Sequence, residues 1–299
     1  MTKRSVCGRH LGASVALCFG VVCAGTSAIF TKMANVPGSV SAFYRMLIAS
    51  FVVVPLWIVK SKSRPATKDV VVVMLGGVIF ALTFTLWNTS ILLIPAATGA
   101  LLINSAPLWV GLASFMLFRE RLSKSYWIGL AIAMAGMMWL IGANAYEQLQ
   151  ISVGNLLAIG SGVSYAAYLL TTQRTRSRVD LLTFMGISLI SSMAVLLIFN
   201  IATGTKLTGY SNQTWMALVG LGLVSQLGGW LSINYSLGHM RAAQVSVWLL
   251  AEPVVTAVFA MLLLNESMQV NQLIGGVVII FGIYFVTKQN RTQDTLTKN

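Results

Sequence analysis

The sequence predicts an all-α integral membrane protein, with ten transmembrane helices in two inverted five-helix repeats around a central cavity. Three observations carry this reading. The 299 residues are 57% hydrophobic and 9% charged, with a mean hydropathy of +0.80, far from the roughly 25% charged residues of a soluble domain. The apolar residues fall into ten runs of about 20, the length a helix needs to cross a bilayer. The second half of the chain also repeats the first at a fixed offset. A β-barrel is excluded, because its strands would alternate over about 10 residues, whereas these runs are continuous over about twice that length.

The first run, 11–33, follows Lys3, Arg4 and Arg9 and passes through the small residues Ala24-Gly25-Thr26-Ser27-Ala28, which imitates a cleavable secretory signal. It continues through Ile29 and Phe30 to full spanning length, so it is read as the first helix. The second run, 38–59, carries Arg45; the third is 70–90 and the fourth 94–117. The fifth, 125–142, contains Gly129, Ala133 and Gly136, a stripe of small residues suited to close helix packing. Runs six to ten are 153–172, 181–201, 213–238, 242–264 and 272–287. The repeats are expected at 1–142 and 153–287, with a polar cytoplasmic tail over 288–299, and no connection is long enough for a soluble domain.

Charge sets the orientation. A net charge of +13, from 20 basic and 7 acidic residues, would suggest nucleic acid in a soluble chain, but here the basic residues lie in loops, where the positive-inside rule accounts for them. With the N-terminus inside, seventeen fall on the cytoplasmic side, at 3–9, 60–68, 119–124, 174–178, Arg241 and the tail from Lys288. Only Lys32 and Lys206 fall outside, and Arg45 lies within a span. Both termini are therefore expected in the cytoplasm, and no nucleic-acid partner is expected.

Several chemistries are missing. Cys7, Cys18 and Cys23 have no metal-ligand spacing. There is no GxxxxGK[ST] phosphate loop, and the acidic residues form no paired cluster for a metal-dependent intramembrane enzyme. No metal, no cofactor and no enzymatic activity are expected.

The repeat is the most specific signal. Asn88, Ser90, Pro107, Glu120, Gly129 and Gly136 match Asn234, Ser236, Pro253, Glu266, Gly275 and Gly282, each pair 146 positions apart. Gly20 and Lys32 match Gly162 and Arg174 at an offset of 142. Five spans per repeat is an odd number, so the second copy enters the membrane the opposite way round. Secondary transporters use such inverted halves to surround a midplane site and rock about it. A channel or scaffold is the alternative for a duplicated fold.

The residues Ala42-Phe43-Tyr44-Arg45-Met46-Leu47-Ile48-Ala49 resemble the arginine-bearing motif that opens the second helix of EamA-type transporters of the drug/metabolite transporter superfamily. Glu252-Pro253-Val254-Val255, Leu262-Leu263-Leu264-Asn265-Glu266 and Gly275-Gly276 resemble that family's ninth and tenth helices. Ala106-Pro107-Leu108-Trp109 with Glu120 and Gly129 resembles the fourth and fifth. Asn265 departs from the Gly that many members carry before the Glu. The resemblance implies two EamA domains over nearly the whole chain and cytoplasmic termini. It also implies a central cavity lined mainly by helices 1, 3, 4, 6, 8 and 9, and commonly export of amino acids, amines or drug-like metabolites. The alternatives are uptake of a polar metabolite on the same fold and a passive channel.

Arg45 and Glu252 are the two ionisable side chains well inside spans, and a charge at membrane depth is costly enough to be a functional hypothesis. Glu252 precedes Pro253, whose missing N–H frees a carbonyl one turn earlier and opens the helix. It is read either as a cation or proton site facing the cavity or as a protonated carboxyl bonded to that loosened backbone or to a neighbouring helix. Arg45 is read as snorkelling to the interface, as bonding helix ends of the facing repeat, or as contacting a substrate carboxylate. Asn104, Ser105, Ser161, Ser164, Tyr165, Tyr168, Gln226 and Trp248 are the midplane polar and aromatic candidates, with helix glue and space filling as their alternatives. Trp248 and Glu252, at i and i+4, would share a face and suit an organic ammonium group, and Ser105 and Trp109 have the same spacing. Asn88 and Asn234 near helix ends could cap or bind, and Pro107 and Pro253 are structural. The expected partners are a small-molecule substrate, the lipid bilayer and a coupling proton. The chain is expected as a monomer or homodimer in a bacterial inner membrane.

Overall fold

The computed structural model describes residues 3–61, 65–90, 93–94, 96–120, 122–142, 152–264 and 269–296, and residues 3–10, Asn88, Ala96, Ala97, Leu264 and residues 289–296 only in their backbone. Ten helices are long and apolar enough to cross a membrane. They are α1 (Lys3–Gly25 and Ser27–Ala34), α2 (Gly38–Lys60), α3 (Thr67–Ser90), α4 (Ala96–Ile103 and Ala106–Phe118) and α5 (Lys124–Ile141). The second half supplies α6 (Val153–Arg176), α7 (Leu181–Ala202), α8 (Asn212–Gly220, Leu221–Trp230 and Leu231–Leu237), α9 (Ala242–Leu249 and Glu252–Leu264) and α10 (Val270–Leu296). α10 continues as helix beyond 287 into the polar tail.

Local chemistry sets the ends. Ser123, Ser152 and Ser211 cap α5, α6 and α8 by accepting a backbone N–H, and Asp180 accepts two at the start of α7. α1 stops at Asn35 in the left-handed region, φ 49°.

The largest contacts run between the repeats. α5 packs on α10, α2 on α7 and α4 on α9; α3 on α6 is mirrored by α1 on α8, α3 on α7 by α2 on α8, and α4 on α6 by α1 on α9. Exchanging the two halves therefore maps the contacts between the repeats onto themselves. At seam α5–α10 the backbones approach closely: a Cβ on Gly282 would lie 2.6 Å from the Gly129 carbonyl oxygen, and one on Gly275 would lie 2.7 Å from that of Gly136. The small-residue stripe and its repeat copy thus face each other, backbone to backbone. Around the perimeter Phe51, Leu117, Ile198, Met216 and Val277 are exposed, as a surface solvated by lipid tails requires.

α4 and α9 are each broken, at Asn104-Ser105 and at Leu250-Ala251. The breaks are 146 positions apart, and each stands just before a proline, Pro107 or Pro253, that cannot donate to the preceding turn. Tighter turns take over, with the Leu250 and Ala251 N–H groups bonding the Val247 and Trp248 carbonyls. α8 is wound as a π-helix over Leu221–Trp230, a rare geometry that recurs at functional positions.

Candidate functional site

Where the breaks of α4 and α9 approach α1, α2, α3, α6 and α8, a cavity of about 110 Å³ opens. Its walls are Ala24, Ser27, Arg45, Phe80, Thr83, Phe84, Ile103, Tyr165, Trp230 and Glu252. Both repeats contribute, from the six helices the resemblance implied and from α2 as well.

Arg45 turns inward. It is only 4% exposed, so it does not snorkel to the interface. Its Nε donates to Gln226 Oε1 (3.0 Å), its Nη1 donates to Ser27 Oγ (3.3 Å), and its guanidinium carbon lies 4.7 Å from the centre of the Phe84 ring. Gln226, on the π-wound stretch, is itself buried and acts on the cavity through Arg45. Ring contact and hydrogen bonds together hold the guanidinium away from lipid.

Glu252 begins the second piece of α9, where the helix dipole favours an anion. Its Oε1 is buried and has no hydrogen-bond partner, so that oxygen is not tied to the loosened backbone. No hydrogen bond or ion pair of the described residues joins Glu252 to Arg45, although both line one small space.

The other candidates divide. Tyr165 lines the cavity, its ring edge-on to Trp230 at 5.8 Å. Tyr168 does not: it is packed behind the wall against Phe80 (ring centres 4.4 Å apart), and its hydroxyl donates to Asn234 Oδ1 at 3.2 Å. Asn234 is no cap; fully buried inside α8, it also donates to Met185 Sδ and so links α6, α7 and α8. Trp248 is absent from the cavity wall, because the break at 250–251 interrupts the i, i+4 register, and its Nε1 donates to Thr287 Oγ1 of α10 at 3.0 Å. Asn104 and Ser105 close the α4 break by donating to the Ala100 and Leu102 carbonyls (2.7 and 2.6 Å). Ser105 also accepts from Trp109 Nε1 (3.0 Å), as their spacing predicts. Ser161 bonds the Thr83 carbonyl between α6 and α3, and the Asn88 side chain lies outside the described residues. Pro107 offers its carbonyl to the Tyr126 hydroxyl. No group of three or more metal-ligating side chains occurs among the described residues.

Sequence reasoning missed the aromatic walls Phe80, Phe84 and Trp230. Phe80 and Phe84 recur at i, i+4, a pattern that marks a shared face. Ser27 carried no signal, since only the break at Thr26 turns it toward Arg45.

The sequence pattern of the EamA-like transporter family matches residues 11–142 and again 152–288. The chain is 23% identical over 255 residues to the uncharacterized transporter YdfC of Bacillus subtilis, across 84% of this chain and 83% of that protein. It is 24% identical over 287 residues to an uncharacterized transporter of Archaeoglobus fulgidus, across 95% and 98%. A crystal structure of another protein shares the fold, with a TM-score of 0.78 at 20% identity over 93% of this chain and 98% of its own.

Proposed function

Since the chain belongs to the EamA-like transporter family, with both halves matching it, we propose that it is a secondary active transporter of a small organic solute. We assign it export from the cytoplasm, across a bacterial inner membrane with both termini inside. The observation that carries this reading is the cavity itself: a space between inverted halves that holds a buried carboxyl oxygen with no partner of its own. A static scaffold has no reason to leave such a group unmatched at membrane depth. The direction rests on the family resemblance; the seventeen-to-two loop charge bias supports the orientation.

In this mechanism the breaks in α4 and α9 are the places where backbone can yield while the long seams stay packed, so the halves rock about the cavity. Glu252 exchanges a proton for the solute's cationic group, which gives alternating occupancy without a second acid. Aromatic walls exclude water while the exchange occurs.

Reconstitution into proteoliposomes tests the proposal. Saturable counterflow with at least one member of an amino acid, amine and nucleoside panel is expected. A conductance without counterflow of any solute would instead identify a channel.

A further inference from the structure

Two opposite charges buried in one cavity would ordinarily pair, because each alone at membrane depth is costly. Here they do not. Arg45 spends two of its five N–H groups on Gln226 and Ser27, and its Nη2 has no protein partner among the described residues. Phe84 covers the guanidinium's face, so what remains available is its edge, the direction from which a planar carboxylate makes two parallel hydrogen bonds. Glu252 Oε1 stands equally unmatched on another wall. Phe80, Phe84, Ile103 and Trp230 lie on the same walls and present hydrocarbon.

The repeat adds an independent argument. Pro253 has its copy in Pro107, but the position that copies Glu252 is Ala106. Arg45 shifted by 142 to 146 positions falls on 187–191, where no residue is charged. Features a duplicated scaffold needs recur in both halves, and this pair of charges does not.

We infer that the cavity recognises a small zwitterion, its carboxylate on the free edge of Arg45 and its ammonium group on Glu252, with Gln226 and Ser27 as positioning residues that fix the guanidinium. A lone cation would be opposed by Arg45, and a lone anion by Glu252. The inference rests on the transport reading and adds the requirement for both charges. It also agrees with proton exchange, since the arriving ammonium takes the place of the proton on Glu252. The cavity, about 110 Å³ in volume, is partly open, so it holds both charged ends of a compact solute without fixing an upper limit on its length.

The test uses the full chain in proteoliposomes and three probes, alanine, γ-aminobutyrate and phenylalanine, each beside its methyl ester and its N-acetyl derivative. At least one zwitterion is expected to show counterflow about tenfold or more faster than either derivative, the difference one charge-assisted contact makes. Arg45→Gln should bring the ester level with its parent without rescuing the N-acetyl form, and Glu252→Gln should do the reverse. A merely structural role would lower all three rates together. If Arg45→Gln does not elute as a single folded species, Arg45→Lys, which keeps the charge and loses the planar fork, should narrow the ester discrimination to less than the wild-type ratio. Derivatives carried as fast as their parents by the wild type, or variants that lose both discriminations together, would overturn the two-ended site and leave the transport reading standing. Absence of counterflow with every solute would overturn both.

Discussion

At the scale of single residues, Glu252 concentrates the chemistry of this protein. It sits at the start of a helix piece created by the proline that follows it, and its buried Oε1 is left without a partner. Glu252→Gln preserves size and hydrogen-bonding capacity while removing the exchangeable proton. We expect the variant to reconstitute normally and its residual transport to become flat from about pH 6 to 8, because no other acid lies within the cavity to take over the exchange. Counterflow rates measured across that range check this, and an unchanged pH profile would leave Glu252 a structural role beside Pro253. Glu252 and Arg45 were legible in the sequence because charges in apolar runs are conspicuous. Trp248 reads as a partner of Glu252 only while i, i+4 reasoning can assume an unbroken helix, and this one breaks two residues past the indole. Tyr168 and Asn234 read from sequence as site and helix-end residues because nothing in a sequence separates a polar group that faces a cavity from one that satisfies another polar group behind its wall.

At the scale of helices, length and end were readable while curvature and winding were not. Apolar run lengths located all ten spans, because the bilayer imposes one length on every crossing. Pro107 and Pro253 marked the two breaks through a missing donor, but the π-wound stretch of α8 contains no proline and left no trace in the residue order. Helix pairing was partly legible, since the small-residue stripe of α5 recurs in α10. That seam is also one where substitution should be poorly tolerated. In Gly275→Val the new Cβ would meet the Leu140 amide nitrogen at 2.5 Å, and backbone cannot step aside as a flexible side chain could. We expect a loss of about 1–3 kcal/mol, as for other overpacked interiors, visible as a lower midpoint of thermal unfolding in detergent. The equivalent change at Gly12, where a Cβ would meet nothing within 4 Å, should be neutral.

At the scale of the whole molecule, orientation is the property most open to direct measurement. A cysteine introduced beside Lys206 should react with an impermeant maleimide added outside intact cells, and one introduced beside Arg64 only after permeabilisation. The reverse pattern would overturn the topology. The inward-facing charges are what make the assignment, as they bias the insertion of short loops without needing any fold.

The reciprocal packing of the two halves has a thermodynamic consequence. Because exchanging the repeats maps the helix contacts between them onto themselves, a conformation open to one side of the membrane has a counterpart open to the other side that is built from nearly the same set of contacts. Two such states start close to equal free energy, so the scaffold itself contributes little preference between them, and an equilibrium constant near one is tipped several-fold by about 1 kcal/mol. The resting bias then comes from whatever the duplication does not share. Glu252 against Ala106, and Arg45 against the uncharged stretch 187–191, are such unshared features at the centre. The same two side chains that would grip the solute would therefore also decide which way the empty protein faces, and occupancy of the cavity, by neutralising them, would return the molecule toward indifference.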